Sequence, residues 1–233
     1  MSYPQENLSV VTTADGSKTI YHPFIKENYH SRNGAVQESN HVFLNSGLRF
    51  YLADKNIESV SVLEVGFGTG LNFLLTADFC TGKELVLDYV GIEAFPLQLS
   101  LIEETSYNEL VSPNTWISYQ QNYNNAMLDT VLMNDYCSLH IACTELENYK
   151  SDLLFDVIYF DAFASSNQPE MWTKQAIAHT LKFLKPEGVF VTYAITGELK
   201  RIMKALGMKI EKAPGAAGKR EMLRAVKEGF NIT

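Results

Sequence analysis

A chain of 233 residues with 46% apolar, 20% charged and 12% aromatic content is the length of one generous domain and can bury a core, which excludes wholesale disorder. Its longest apolar stretches, such as residues 189–195, fall far short of the ~20 residues of a membrane helix, and the opening Met-Ser-Tyr-Pro-Gln-Glu-Asn lacks the basic and apolar regions of a secretory signal. Three cysteines (Cys80, Cys137, Cys143) without a C-x-x-C pair make neither a disulfide framework nor a zinc site, so the expected setting is the cytoplasm, with no membrane and no metal.

The first residues read as a β-hairpin, 8–13 and 18–21 around an Asp15-Gly16 turn. A polar loop is expected over 29–40 and an amphipathic helix over 41–53. From Val60 onward, short β-branched runs alternate with helical periods. The expected order is strand 61–65, helix 71–80, strand 85–92, helix 96–107, helix 122–133, strand 138–142, strand 155–160, helix 170–184, strand 188–194 and helix 198–206. Strands 208–212 and 221–226 close the chain. This alternation predicts an α/β fold with a mostly parallel, doubly wound sheet. The final two strands are joined by the short loop 213–218, which permits only an antiparallel pairing. A parallel sheet ending in an antiparallel hairpin is the Rossmann-like class I methyltransferase pattern, rather than that of a dinucleotide-binding domain.

Strand 61–65 runs into Gly66-Phe67-Gly68-Thr69-Gly70, whose glycines permit positive φ and a close backbone approach to a ligand. A dinucleotide fingerprint would put its third glycine at position 71, which is Leu71. The G-x-G-x-G form suits a nucleoside with an amino-acid tail, S-adenosyl-L-methionine, with Asn72 following in the helix. Glu64, just before the turn, is positioned to meet the amino group of the methionine part. Glu93, with Ala94 after it, ends the second strand, where a carboxylate can accept both ribose hydroxyls. An Asp often holds the adenine amino group after the third strand of such enzymes. Here Cys143 and Thr144 stand in that region with Glu145 beyond them, and adenine recognition stays unassigned.

Segment 155–172 ends an apolar strand in Asp161, followed by Phe163. In amine methyltransferases a polar side chain at this edge orients the nitrogen while an aromatic packs on the substrate; a turn-capping role is the structural alternative for Asp161. For Trp172, packing of the helix against the sheet is the preferred reading.

The net charge of −8 is unevenly spread: from Ile195 to Thr233 nine Lys/Arg face four Asp/Glu, whereas residues 1–194 hold ten against twenty-three. A basic segment on an acidic body fits either a polyanion docking at one edge or ordinary solvated surface. Lys219 and Arg220, in the loop before the last strand, are placed to meet phosphates. Lys200, Arg201, Lys204, Lys209 and Lys212 would extend that surface, although a solvated face is the simpler reading for each alone.

These residues resemble a known family, the methyltransferase domain of the MnmC proteins and its stand-alone relative MnmD. The similarity runs through Asn33-Gly34 with Glu38, Val42-Phe43-Leu44, Gly66 to Leu74 and Glu93-Ala-Phe-Pro-Leu97. It continues through Phe160-Asp-Ala-Phe-Ala164, Pro169-Glu-Met-Trp-Thr173 and Gly218-Lys-Arg-Glu-Met222. Two departures stand out: Asp161-Ala-Phe-Ala-Ser165 where the family has Asp-Gly-Phe-Ala-Pro, and Ala142-Cys143 where it has Gly-Asp. The resemblance implies transfer of methyl to the primary amine of 5-aminomethyl-(2-thio)uridine at the tRNA wobble position. With the chain ending at Thr233, no flavin oxidase part is expected, and a functional link is implied to the enzymes that make the aminomethyl precursor. Residues 1–55 would be an N-terminal hairpin and helix extension and 56–233 the methyltransferase domain, in one compact unit. The extension would cap the cleft or present Tyr29 and His30 for base stacking, with packing an equal alternative. Two other classes remain open: methylation or aminopropyl transfer on a small amine, and a non-catalytic cofactor-binding module.

Overall fold

The computed structural model describes residues 7–216, 218 and 220–229. It opens with a three-stranded antiparallel sheet of β1 (Ser9–Thr12), β2 (Lys18–His22) and β3 (Glu27–Asn28). The Asp15 carboxylate accepts from Thr13 Oγ1 at 2.7 Å and Ser17 N at 3.0 Å, fixing the expected turn. A helix then runs in three consecutive pieces: α1 (Ala35–Glu38), a wide π-helical stretch (Ser39–Arg49) and α2 (Phe50–Leu52). At the end of the wide part, Phe50 N–H reaches back five residues to Asn45 O. Gly47 lets this helix lie close on the main sheet, because a Cβ there would come within 2.9 Å of both Tyr159 and Val191. The helix therefore starts at Ala35, six residues before the expected 41. Its first turns carry Glu38 and Ser39, which are polar yet buried, so residue polarity there signals a loop that does not exist.

The rest of the chain follows as β4 (Ser59–Val65), α3 (Leu71–Thr81), β5 (Val86–Ile92), α4 (Leu99–Glu103) and α5 (Pro113–Ala126). Then come β6 (Val131–Asn134), β7 (Cys137–Ala142), β8 (Phe155–Phe160), α6 (Lys174–Leu181) and β9 (Leu184–Thr192). It closes with α7 (Gly197–Ala205), β10 (Met208–Pro214) and β11 (Glu221–Lys227). These strands form one sheet in the order β10-β11-β9-β8-β4-β5-β7-β6. The five from β9 to β7 are parallel, and β8 is buried at every position, as expected for a sheet covered on both faces. β11 and β10 close one edge antiparallel, and β6 pairs antiparallel with β7 at the other.

Three helix expectations need correction. The helix set at 122–133 is α5 plus the strand β6: Pro113 occupies the first turn behind a Ser112 cap, and the apolar residues after Asp129 belong to the edge strand. The helix set at 170–184 is a 3₁₀ turn (Pro169–Trp172) followed by α6, restarted by Thr173, whose hydroxyl accepts from Ala176 N at 3.1 Å. The helix set at 96–107 shrinks to α4, because Ser106 adopts a left-handed φ of 61° and breaks it.

From β4 the chain builds outward through β5 and β7, then crosses back to β8 on the other side. The carboxyl ends of β4 and β8 therefore flank a topological switch point, the crevice where open α/β sheets bind ligands.

Candidate functional site

Two backbone approaches shape the crevice floor. Gly66 takes φ 86° against the end of β8, where a Cβ would sit 2.5 Å from the Asp161 carbonyl oxygen. Gly68 takes φ 54° beneath the Tyr29 ring, where a Cβ would lie at 2.9 Å. Glu93 locks the turn to the second strand: Oε2 accepts from Gly68 N and Oε1 from Phe95 N, each at 2.9 Å. Burial raises its pKa and the backbone donors pull the other way. With about four acceptor positions on a carboxylate, room remains for ligand hydroxyls.

Beneath this floor lies a second carboxylate. Glu64 is fully buried; Oε1 accepts from Asn72 Nδ2 at 2.7 Å and Oε2 from the Tyr89 hydroxyl at 2.7 Å. Asn72 Nδ2 also donates to Asp161 Oδ2 at 2.8 Å, so one amide bridges two carboxylates. Burial first, and the Asp161 charge second, push the Glu64 carboxyl well above its usual range. Asp161 lines the cavity, whereas Glu64 and Asn72 do not. The expected contact between Glu64 and a ligand amino group is therefore corrected: both Glu64 oxygens are engaged by α3 and β5, and it reaches the cavity through Asn72 and Asp161.

The cavity itself measures about 1260 Å³. Gly66, Phe67, Gly68, Thr69, Glu93 and Ala94 line it from the sheet side, as do Asp161 and Phe163. Gly70 lies under the helix start, packed against Tyr119 and Phe67. From the N-terminal extension come Tyr29 and His22, which contact Phe163 edge-on with ring centroids at 5.1 Å and 6.3 Å. Desolvation, then the Glu93 charge, keep the Tyr29 phenol protonated by raising its pKa. His30 also lines the cavity but is buried, with Nδ1 3.0 Å from Thr19 Oγ1; burial pushes its pKa down to about 4. Thr144 and Glu145 line the cavity below β7, while Cys143 does not.

The loop carrying Phe163 is held from three sides. The Trp172 indole donates to Phe163 O at 2.7 Å and the Tyr193 hydroxyl to Ala162 O at 2.9 Å. Glu27, on β3, accepts from Ala164 N at 3.1 Å and Asn167 Nδ2 at 2.7 Å. Neither Glu27 nor Tyr193 stands out in the sequence, since their role depends on which strand ends the fold brings together. Arg220 lines a neighbouring hollow with Tyr193 and Ile195 rather than the main cavity, and Lys219 lies outside the described residues. Three cations of the C-terminal segment are used internally, in the pairs Arg201–Glu198, Lys212–Glu221 and Arg224–Glu211.

This arrangement fits S-adenosylmethionine. The glycine cradle leaves backbone exposed to a flat nucleoside, Glu93 suits a diol, and the carboxylates at and beneath the floor favour a cation over a pyrophosphate. The oxygen of Asn72, Oδ1, is buried with no hydrogen-bond partner, adding a further acceptor beside Asp161.

Comparison with known proteins agrees. Residues 113–228 match the family described as S-adenosyl-L-methionine-dependent methyltransferase. The chain is 28% identical over 243 residues to the tRNA 5-methylaminomethyl-2-thiouridine biosynthesis bifunctional protein MnmC of Magnetococcus marinus, covering 95% of this chain and 35% of the relative. It is 31% identical over 216 residues to the MnmC protein of Leptospira interrogans, covering 84% and 32%. The chain thus spans about a third of the length of these curated relatives. The crystal structure of MNMC2 from Aquifex aeolicus shares the fold, with a TM-score of 0.74 at 21% identity over 97% of this chain and 73% of that one. No helix among the described residues is long and apolar enough to cross a membrane, and no group of three or more His, Cys, Asp or Glu among them is placed to hold a metal. With its sheet order and glycine turn, the chain belongs to the class I S-adenosyl-L-methionine-dependent methyltransferases, in the family of the MnmC methyltransferase domain.

Proposed function

We propose that the protein methylates the primary amine of 5-aminomethyl-(2-thio)uridine at the tRNA wobble position, giving 5-methylaminomethyl-(2-thio)uridine, in the cytoplasm. The observation that carries this reading is the placement of Asp161, held by Asn72, between the glycine turn and the Tyr29–Phe163 pair in a cavity roomy enough for a nucleoside cofactor and a base. The chemistry implies a functional link to enzymes that install the aminomethyl group. The N-terminal extension, residues 1–55, acts together with the methyltransferase part, 56–233, because it supplies one wall of the cavity.

When bound, S-adenosylmethionine supplies an electrophilic methyl group on a sulfonium. Glu93 receives the ribose hydroxyls on the lone pairs that Gly68 and Phe95 leave. Asp161 accepts a hydrogen bond from the substrate amine, aims its lone pair, and then takes its proton. An alkylamine with a pKa of ~10.4 costs roughly 4.6 kcal/mol to deprotonate at pH 7. Alignment supplies about 7–11 kcal/mol, so orientation outweighs proton removal. Tyr29 and Phe163 hold the base edge-on and exclude water from the reacting nitrogen.

Transfer of radiolabelled methyl from S-adenosylmethionine to bulk tRNA from cells lacking this gene, followed by nucleoside chromatography, tests the proposal. Label is expected in 5-methylaminomethyl-uridine, thiolated or not. Cofactor binding without label in tRNA overturns the assignment, and release of methylthioadenosine instead of S-adenosylhomocysteine marks aminopropyl transfer.

A further inference from the structure

We propose that the β2–β3 turn is a second contact site for the substrate RNA: Phe24 stacks on a base beside the target nucleotide, and Lys26 and Arg32 meet the flanking phosphates. This rests on the reading that the substrate is a nucleotide in a tRNA loop. Phe24 is 63% exposed, a costly placement for a large aromatic unless something covers it. The turn that presents it is firmly built. Ile25 beneath it is buried, Lys26 N–H donates to His22 O at 2.7 Å, and Ile25 N–H donates to His22 Nδ1 at 3.3 Å. Lys26 takes a left-handed φ of 60°, unusual for a residue with a side chain and held by those contacts. Through His22 the turn packs against Phe163 and Tyr29, so its geometry is tied to the reacting end of the cavity.

Charge selects the occupant. Lys26 and Arg32 are both exposed and both line the cavity on the extension side. The opposite side of the mouth carries Glu145, Glu147 and Glu170 beside the single Lys182. A polyanion is drawn to the first side and repelled from most of the second. The C-terminal cations expected to take this part are largely engaged: three are ion-paired, and Lys227 Nζ donates to the carbonyls of Leu181 and Leu184. An exposed aromatic flanked by cations fits unstacked bases on a single-stranded backbone, because every base offers a π-face and every step a phosphate. A duplex stem offers no open base face to Phe24.

The test is steady-state methylation of tRNA from cells lacking this gene by the full chain and its variants, with S-adenosylmethionine affinity measured separately by calorimetry. Phe24→Ala and Phe24→Leu are expected to raise KM for tRNA about tenfold with kcat and cofactor affinity little changed, and Phe24→Trp to restore the wild-type KM. In the double variant Lys26→Gln/Arg32→Gln, the slope of log KM against log salt should fall by about 0.7 for each phosphate that is no longer neutralised. A Phe24→Leu variant that behaves as wild type would show apolar packing and overturn the stacking role. Unchanged KM and salt slope across all variants, with the wild type active on tRNA, overturns the inference alone. A wild type that binds cofactor but never labels tRNA overturns the functional reading itself, and this inference with it.

Discussion

At the reacting centre a single amide decides how Asp161 can be used. Asn72 donates to both Asp161 and Glu64, which holds Asp161 Oδ2 in place and keeps the two carboxylates from repelling each other across bare space. An orienting group needs an acceptor oxygen at a fixed point; a base needs to take up a proton. Asp161→Asn keeps an acceptor oxygen and cannot act as a base. If orientation dominates, kcat should stay within about tenfold of wild type, whereas loss of a general base costs about 10²–10⁴-fold. Single-turnover rates at saturating cofactor measure this, and a loss beyond a hundredfold would put proton transfer first. Asp161 and Glu93 were legible in the sequence because each ends a strand next to the glycine turn. The role of Glu64 was not. Alternation within β4 turns Val60, Val62 and Glu64 toward α3, and Leu63 and Val65 toward the other face. Only the fold shows that Asn72 and Tyr89 wait on that side.

The elements around the cleft depend on a bridge between two distant parts of the chain. Glu27 on β3 accepts from Ala164 and Asn167 in the loop after β8, and so ties the N-terminal sheet to the loop that carries Phe163. Hydrogen bonds to a charged acceptor contribute roughly 1.5–3 kcal/mol when shielded and less at a half-exposed site such as this one. Glu27→Ala should therefore leave the global fold intact but free the loop. Hydrogen exchange at Ala164 and Asn167 is expected to quicken, and KM for the nucleic-acid substrate to rise several-fold with a smaller effect on cofactor affinity. Unaltered exchange at those amides would mean that the Trp172 and Tyr193 contacts hold the loop without Glu27. The strand–helix alternation that builds the sheet was legible from β-branched runs and turn residues. The helix starting at Ala35 was not, because buried Glu38 and Ser39 give it the composition of a loop. Strand β6 was hidden for a different reason: at a sheet edge, Leu132 is 78% exposed, and the short apolar run after Asp129 lacks the periodicity that separates strand from helix.

For the molecule as a whole, the buried carboxylates make stability depend on pH in a direction that can be derived. Burial, reinforced by the nearby Asp161 charge, raises the Glu64 pKa well above its usual value, whereas in the unfolded chain it titrates near about 4.3. Between these two pKa values the folded protein holds a proton that the unfolded chain has released. Stability then falls with rising pH, by up to about 1.4 kcal/mol per pH unit for a single group. The contribution of Glu64 is thus complete below about pH 4 and is lost as pH climbs through the raised folded value. Glu64→Gln removes the titration. The amide gives up one hydrogen bond to Asn72 or Tyr89 at every pH, a cost of about 1 kcal/mol that does not vary across the range. The variant is therefore expected to be less stable than wild type near pH 5 and to recover relative to it by pH 8. For a chain of this size each kcal/mol moves Tm by about 2–4 °C, so the difference in Tm between variant and wild type should shift by several degrees in the variant's favour across that range. Thermal unfolding of the ligand-free protein at both pH values measures it. A difference independent of pH would mean that Glu64 stays charged throughout, with Asn72 and Tyr89 alone carrying a buried anion beside Asp161.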